Sequence, residues 1–436
     1  MKKYHHPNKS LFIQNRDNFK SQLAEKAVAI FTAYDQMPRS ADLYHSFRQN
    51  PDLYYLTGLD QEDIVLVLFP NCPKGKTFEE ILFIRRTNDY IKVWEGEKYT
   101  IEKAREISGI QNVKWLDEMP AILNEMVLLS ENIYLNINEN DRAVSSVVES
   151  ERRLVNELKA KYPLHNFHRS QRIMKALRMI KSKLEVEVIQ KACDITDAAF
   201  RRVLGTTKAG MYEYEVEAEI IYEFTKMGAT GHAYHPIIAG GANACVLHYN
   251  DNADKLKEGD LLLMDFGCEY GNYASDMTRV IPVGGKFLPR QLDVYNAVLR
   301  VMKQASAMLR PGLTLDVYNQ AVGKIMEEEL VNLSLLTMQD IKNQDPAMPA
   351  YKKYFMHGTS HHMGLDVHDL CNRYEVVKEG MVFTCEPGIY IPEEGIGIRL
   401  ENDLLIGKDS NLDLMANIPL EAEHIEDLMA STYAMS

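Results

Sequence analysis

The stretch LLLMDFGCEYGNYASDMTRVIPVGG, residues 261–285, decides the architecture of the C-terminal half of the chain. An apolar run, a reversal that contains glycine, and a second apolar run are the pattern of two antiparallel strands. Asp265 ends the first run, where a buried carboxylate is costly unless it is paired or bound to metal. Asp276 precedes the second run, and the GCEYGNY segment supplies the turn. The spacing therefore predicts that both carboxylates face one cavity.

Two further segments of the same half add acidic and imidazole side chains. FMHGTSHHMGLDVHD, residues 355–369, holds four of the 13 histidines, and FTCEPGIYIPEEGIGIRLEND, residues 383–403, places two glutamates beside apolar runs. Four carboxylates and one imidazole suit a pair of divalent ions that share bridging oxygens, and such ions can ionise a water. The candidate metal ligands, in chain order, are Asp265, Asp276, His361, Glu386 and Glu401.

Arg399 stands two residues before Glu401 and is therefore predicted to lie on the same face of a strand. A guanidinium there could orient a carboxylate or bind substrate. An ordinary ion pair is the alternative interpretation.

Length and charge bound the class of protein. At 436 residues the chain exceeds one ordinary core, so two domains are predicted. A net charge of −13 argues against nucleic acid and against an anionic membrane as partners. The first residues lack the apolar core of a signal peptide, no stretch has the length of a membrane span, and the six cysteines are scattered without CxxC spacing. These features predict a cytoplasmic protein with reduced, structural thiols.

The first third of the chain alternates short apolar runs with amphipathic stretches, which favours an α/β sheet. The runs predicted as strands are AVAIF (27–31), IVLVLFP (64–70), ILFI (81–84), YIKVW (90–94) and NIYLNI (132–137). A basic segment, residues 165–183, is a plausible connector between domains. Beyond it, Ser182 and Glu185 form a capping box that predicts the start of a helix, and the second domain then alternates helical patterns with strands.

The joint pattern resembles the pita-bread metallopeptidases, in particular aminopeptidase P and its relative prolidase. The matching segments occur in order: VLHYNDN (246–252), LMDFGCEYGNYASDMTR, HGTSHHMGLDVHD, EPGIYIP and GIGIRLEND, and NPDLYYLTGLDQEDIVLVL (50–68) resembles the N-terminal domain of that family. The resemblance implies an α/β (α+β) fold. A non-catalytic N-terminal α/β domain over residues 1–172 would precede a pita-bread, creatinase/aminopeptidase-like catalytic domain over residues 173–436.

The resemblance also implies a role for each site residue. Asp265 would chelate one metal, Asp276 and Glu401 would bridge both, and His361 and Glu386 would complete the other, with Mn²⁺ as the expected ion. Glu386 would also accept or relay a proton, and His368 would donate to the oxyanion. The remaining residues that the resemblance places around the substrate are His248, His357 and Arg399. His362 has no assigned role, and residues 370–380 depart from the family pattern.

The implied activity is hydrolysis of the bond between an N-terminal residue and a following proline. The expected partners are peptides with proline at the second position and copies of the same chain, as a dimer or tetramer. Creatinase-like hydrolases and non-catalytic pita-bread modules lack the five ligands, and methionine aminopeptidases usually lack a large N-terminal domain of this kind. Prolidase, which cleaves only dipeptides, stays open as an alternative because the distinction lies in how the far wall of the site closes.

Overall fold

The computed structural model describes residues 2–140, 142, 146–371 and 374–433. The chain divides into two compact units between Arg178 and Met179. The boundary predicted between residues 172 and 173 falls inside the helix Gln171–Met179. Both units combine helices with strands, which confirms the mixed α/β fold predicted from the sequence.

The N-terminal unit is built around one mixed sheet. Its helices are α1 (Lys9–Lys20), α2 (Pro51–Thr57), α3 (Asp89–Glu95), α4 (Ile101–Ser108), α5 (Met119–Leu128), α6 (Ser150–Lys161) and α7 (Gln171–Met179). Its strands are β1 (Ala27–Thr32), β2 (Pro38–Ser40), β3 (Leu43–Tyr44), β4 (Val65–Leu68), β5 (Glu80–Ile84), β6 (Val113–Trp115), β7 (Asn132–Leu135) and β8 (Asn166–Arg169). Among the described residues, six of these strands form the sheet in the order β6-β5-β4-β1-β7-β8.

Four of the five predicted strands of this unit are present as β1, β4, β5 and β7, and the fifth prediction is wrong. The run YIKVW lies in helix α3, where the side chain of Asn88 accepts a hydrogen bond from the backbone N–H of Ile91. An apolar run of five residues cannot be assigned to strand or helix by periodicity, and here the asparagine cap at one end and Gly96 at the other favour the helix.

The C-terminal unit contains several smaller sheets enclosed by long helices. Its helices are α8 (Lys183–Thr206), α9 (Glu213–Lys226), α10 (Pro289–Met308), α11 (Leu315–Asn332), α12 (Met338–Lys342) and α13 (Ala422–Tyr433). Its strands are β9 (Gly231–His232), β10 (Ile237–Gly240), β11 (Leu261–Asp265), β12 (Cys268–Tyr270), β13 (Tyr273–Ala274), β14 (Thr278–Pro282), β15 (Val382–Cys385), β16 (Gly388–Ile391), β17 (Ile396–Arg399), β18 (Asn402–Leu405) and β19 (Leu412–Asp413). Helix α8 packs on β12 and β13, and α10 packs on β15, β16 and β17.

The antiparallel pairing predicted for residues 261–285 is present. Strands β11 and β14 pair with Asp265 opposite Thr278, and between them β12 and β13 form a hairpin of their own. Its two-residue turn, Gly271 and Asn272, has positive φ at both positions, which suits the right-handed twist of the strands. A Cβ at Gly267 would lie 1.7 Å from the carbonyl oxygen of Ser275, so only glycine allows the hairpin to close there.

The other candidate ligands follow the remaining strand pairs. Glu386 comes directly after β15, Arg399 ends β17, and Glu401 lies between β17 and β18. The segment 331–354 is weakly patterned in the sequence, which predicts an insertion or loop; it contributes the end of α11, helix α12 and a 3₁₀ turn at Ala350–Lys353. Residues 372 and 373, part of the segment that departs from the family pattern, lie outside the described residues. No helix of the described ranges is long and apolar enough to cross a membrane.

The capping box at the start of α8 forms as predicted. The Ser182 hydroxyl accepts a hydrogen bond from the backbone N–H of Glu185, whose carboxylate accepts from the N–H of Ser182. We expect Ser182→Ala to lower the free energy of unfolding by about 1 kcal/mol, as loss of an N-cap does. Chemical denaturation followed by circular dichroism measures the change. Ser182→Thr keeps the hydroxyl and serves as the control, and an equal loss in both variants would contradict the capping explanation.

Candidate metal centre

Two carboxylates converge on the hydroxyl of Tyr234. The Tyr234 oxygen lies 2.6 Å from Oδ1 of Asp265 and 2.6 Å from Oδ1 of Asp276. A single hydroxyl proton can be donated to only one of them at a time. Burial raises the pKa of Asp265, the charge of Arg399 opposes the rise and the charge of Asp276 adds to it, so ionising Asp265 here costs free energy that a further positive charge would offset.

His361 lies on the other side of Asp276. Its Nε2 is 3.3 Å from Oδ2 of Asp276 and 3.7 Å from Oε1 of Glu386. Its Nδ1 is 3.0 Å from the carbonyl oxygen of His362. A carbonyl can only accept, so Nδ1 carries a proton, and Nε2 is the nitrogen that faces the carboxylates: it donates to them when the ring is protonated and offers a lone pair when the ring is neutral. Burial lowers the pKa of His361, but the hydrogen bond to Asp276 and the charge of Glu386 outweigh it and raise the pKa to about 9.

Glu401 is held by the strand opposite it. Thr278 donates its hydroxyl proton to Oε2 of Glu401 over 2.6 Å, and the backbone N–H of Glu401 donates to the carbonyl of Thr278. Burial and the charges of Asp276 and Glu386 raise the pKa of Glu401 well above its usual range. The carboxylate is thus oriented and dehydrated, and the charge of Arg399 offsets only part of the rise in its pKa.

Arg399 connects the carboxylates to the aromatic side of the site. Its Nη2 lies 2.5 Å from Oδ2 of Asp265, and its Nε donates to the Thr278 hydroxyl. Its Nη1 donates to the hydroxyl of Tyr390, which lies opposite Gly397 in the β16–β17 register. Because Arg399 is two residues further along the same strand face, it reaches this hydroxyl diagonally. The ion pair predicted as the alternative role of Arg399 is present, and it orients the candidate ligand Asp265.

The donor set fits a divalent cation. Ligand atoms of Asp276, His361 and Glu401 lie within 4.8 Å of one another, and all three residues are buried. Asp265 adjoins this group through the shared tyrosine hydroxyl. Burial also raises the pKa of Glu386, to which the Asp276 and Asp265 charges add. Buried carboxylates with raised pKa values are stabilised in the ionised form by a nearby divalent ion, and oxygen-rich sets with one imidazole suit such ions.

The other histidines predicted at the site lie next to His361 or next to Tyr390. The His368 ring meets that of His361 edge-on, with centroids 4.4 Å apart. His357 lies with Nε2 2.8 Å from the Tyr390 hydroxyl and Nδ1 2.8 Å from the carbonyl of Gly358. Burial and the Arg399 charge lower the pKa of His357 to about 3, and the charge of His248 acts on it in the same direction. His357, whose Nδ1 is 3.6 Å from Oε2 of Glu386, borders the carboxylates, His368 borders His361, and His248 is exposed on the side of His357.

His362 points elsewhere. Its ring packs on Phe383 at 4.1 Å between centroids, and burial together with the Lys181 charge lowers its pKa to about 3. Beside it, Lys181 and Asp369 form an ion pair of 2.9 Å in which both side chains are only 1% exposed. A Cβ at Gly364 would lie 2.4 Å from an Asp369 oxygen, so the loop closes tightly over this pair. The pair fixes the end of the segment that carries His368.

Sequence reasoning missed the tyrosines and one acid that complete the site. Tyr234 precedes β10 in a segment without a recognisable pattern, so its position depends on the tertiary fold. Tyr390 stands within the quoted EPGIYIP segment, but its contacts follow from the strand register. Asp403 accepts the backbone N–H of Asp276 at 3.0 Å and is fully buried. The signal that was available is the same one that identified Glu401, because Asp403 stands only two residues after Glu401 at the end of the run that begins at Ile396.

Comparison with known proteins assigns the chain to a family. Residues 187–408 match Metallopeptidase family M24, and residues 12–134 match Aminopeptidase P, N-terminal domain. The chain belongs to metallopeptidase family M24. All five candidate ligands lie within the segment that matches the M24 family. The family name and the donor set both indicate a metal site.

Relatives of this M24 chain match it over nearly its whole length. It is 33% identical to the Xaa-Pro aminopeptidase of Escherichia coli strain K12, over 96% of this chain and 97% of the relative. The structure of aminopeptidase PepP from Pseudomonas aeruginosa is similar with a TM-score of 0.88 and 31% identity, covering 98% of this chain and 99% of that one. A zinc-substituted E. coli aminopeptidase P in complex with product is similar with a TM-score of 0.87 and 31% identity, covering 98% and 99%.

Proposed function

We propose that this M24 chain is a metal-dependent aminopeptidase that removes the N-terminal residue from peptides with proline in second place. One observation carries the proposal: a buried cluster of carboxylates around His361 lies in a chain that matches a relative named Xaa-Pro aminopeptidase over 96% of its length. Neither half of that observation would be sufficient alone, because buried acids serve many reactions and a shared fold hosts several activities.

The proposed cofactor is a pair of divalent ions, with manganese as the expected metal. Asp276 would bridge the two, because its Oδ1 shares the Tyr234 hydroxyl with Asp265 while its Oδ2 faces His361. Asp265 would hold one ion, Glu401 would bridge beside Asp276, and Glu386 with His361 would hold the other. Such a pair supplies the means of ionising a water near neutral pH and of polarising a carbonyl.

The proposed chemistry assigns a proton or a contact to each remaining residue. Glu386 accepts the proton of the attacking water, a role that suits a carboxylate whose pKa burial raises to about 7. His368, packed against His361, donates a hydrogen bond to the oxygen that gains negative charge. The imide nitrogen of proline has no N–H and must be protonated to leave, and the proton that Glu386 accepts from the water is the one it relays to this nitrogen. His357 and His248 are proposed to shape the pocket for its ring.

Arg399 is proposed to act as a positioning residue within this scheme. It holds Asp265 and the Tyr390 hydroxyl at fixed places, and that hydroxyl in turn contacts Nε2 of His357. The homo-oligomeric assembly, as a dimer or tetramer, and the cytoplasmic location remain predictions from the sequence.

The substrate proposal is tested with matched peptides. With added Mn²⁺, we expect the protein to release alanine from Ala-Pro-Ala faster than from Ala-Ala-Ala by a factor of about 10–200, the discrimination that a shaped apolar pocket provides. Mass spectrometry of the products measures both rates. N-acetyl-Ala-Pro-Ala is the control, and it is expected to remain intact because an exopeptidase requires a free N-terminus.

Two outcomes would revise the proposal in different ways. Turnover confined to the dipeptide Ala-Pro would reassign the chain to prolidase while leaving the metal site untouched. Equal rates on the two free tripeptides would remove the preference for proline and leave a general metallo-aminopeptidase.

A further inference from the structure

The carboxylate of Glu213, the first residue of α9, is fully buried and accepts four hydrogen bonds. Oε1 accepts from the backbone N–H of Gly240 at 2.7 Å and from Nδ2 of Asn243 at 3.1 Å. Oε2 accepts from the Tyr249 hydroxyl at 2.7 Å and from the backbone N–H of Asp254 at 2.8 Å. Two bonds to each oxygen fix this carboxylate in place.

All four donors belong to one continuous segment, residues 240–254. The segment leaves the sheet at the end of β10, and it carries His248 near its middle. Asp254 closes it by a reciprocal contact, because its carbonyl accepts the backbone N–H of Glu213. One side chain from the neighbouring helix therefore holds the beginning, the middle and the end of a loop that starts with the short 3₁₀ helix Gly241–Cys245.

The same loop packs against the strand that carries Arg399. The Cys245 thiol donates to the carbonyl of Ile396 at the start of β17. A Cβ at Gly397 would lie 2.3 Å from the carbonyl oxygen of Ala244, so the backbones of loop and strand are in direct contact. On its far side, the Asn252 amide accepts from the N–H of Ile238 and donates to the carbonyl of Pro236. The loop therefore packs on β17 on one side and is hydrogen-bonded to residues 236 and 238, at the start of β10, on the other.

We propose that Glu213 is a positioning residue that holds the 240–254 loop, and with it His248, in place beside the strand that carries Arg399. The inference rests on the proposed function, because it takes His248 to contact the peptide substrate. Glu213 acts only through the loop, since the bonds that its carboxylate makes end on residues 240, 243, 249 and 254.

Glu213→Gln is the sharpest perturbation, because it keeps the size of the side chain and replaces one oxygen by an amide nitrogen. Whichever way the amide turns, at least one backbone N–H, that of Gly240 or of Asp254, faces a donor instead of an acceptor. Loosening a loop that positions a substrate contact by about 1 Å costs up to about 10²-fold. We expect kcat/KM for Ala-Pro-Ala to fall by about 10- to 100-fold with the metal content unchanged.

A double-mutant cycle separates positioning from a general loss of stability. If Glu213 acts through His248, the Glu213→Gln change has no further effect on kcat/KM in a His248→Ala background. The division of the effect between kcat and KM should also be the same in Glu213→Gln as in His248→Ala. Tyr249→Phe removes one of the four bonds and should give a smaller fall with the same division. If Glu213→Gln folds poorly, Tyr249→Phe can replace it in the double-mutant cycle with His248→Ala.

Glu329→Gln is the matched control. Glu329 is similarly buried and accepts two bonds from Arg300, which joins α10 to α11 without touching the loop. It should lose stability and keep its kinetic constants. Amide hydrogen exchange supplies a readout independent of turnover, and residues 241–254 should exchange faster in Glu213→Gln than in Glu329→Gln.

Full additivity of Glu213→Gln with His248→Ala would overturn the inference, as would unchanged exchange in the loop. A wild-type protein that cleaves none of the proline peptides would overturn the proposed function instead. In that case faster exchange in the loop of Glu213→Gln would still support its role as the anchor, and unchanged exchange would refute it.

Discussion

The Asp276→Ala variant is expected to lose both divalent ions and at least about 10³-fold in kcat/KM. Asp276 lies between two other candidate ligands, with Asp265 across the Tyr234 hydroxyl from its Oδ1 and His361 facing its Oδ2. A catalytic metal lowers the barrier by several kcal/mol, and each ~1.4 kcal/mol is a factor of ten. Metal analysis by mass spectrometry and steady-state kinetics on Ala-Pro-Ala measure the two losses.

The contrast with Asp265→Ala makes this test specific. Asp265 is expected to hold one ion only, so its removal should leave about half of the wild-type metal content. Glu401→Ala should behave like Asp276→Ala, because it is proposed to bridge as well. Asp276→Ala protein that retained two ions per chain would refute the bridging assignment, and wild-type protein without bound metal in excess Mn²⁺ would refute the metal centre.

His368→Ala is expected to keep its metals and to lose about 10²–10³ in kcat, the effect of removing one donor to a developing oxyanion. The ring of His368 packs against that of His361, but Asp276 and Glu386 are the groups that the His361 Nε2 faces. Removing the neighbouring imidazole therefore takes away a hydrogen bond to the substrate without taking away a ligand. Kinetics and metal content measured on the same preparation distinguish the loss of a hydrogen bond to the substrate from the loss of a metal ligand.

His362→Phe is the control for this variant. The ring of His362 packs on Phe383, so a larger apolar ring preserves its contacts and should leave kcat close to that of the wild type. Loss of metal from His368→Ala would show that the residue is a ligand. Unchanged kcat would show that it does not contact the reacting carbonyl.

The structure could be predicted from the sequence where contacts between residues close together in the chain determine it. The apolar runs on either side of GCEYGNY can only bury their side chains as paired strands, and that pairing brings Asp265 and Asp276 together. Ser182 and Glu185 satisfy each other's backbone groups whatever the surrounding fold. The buried acids were visible for the same reason, because a carboxylate at the end of an apolar run requires a partner.

Prediction failed where the contact depends on distant parts of the chain. The Tyr234 hydroxyl reaches two carboxylates 31 and 42 residues away, and no property of its own segment indicates this. The Tyr390–Arg399 contact requires the register of β16 on β17, which the sequence does not specify. The run YIKVW predicts a strand because short apolar runs are typical of strands, yet in helix α3 Tyr90, Val93 and Trp94 are all more than 70% exposed.

The buried pair of Lys181 and Asp369 sets a limit on how far the protein can be shortened. The family match begins at residue 187, and a fragment trimmed to that point would lack the lysine. Asp369 would then be a buried anion without its partner, next to His368, and removing one member of such a pair costs about 3–5 kcal/mol. A truncated protein intended for crystallisation or engineering should therefore begin before Lys181. Otherwise a loss of activity could be mistaken for a catalytic role of the N-terminal unit.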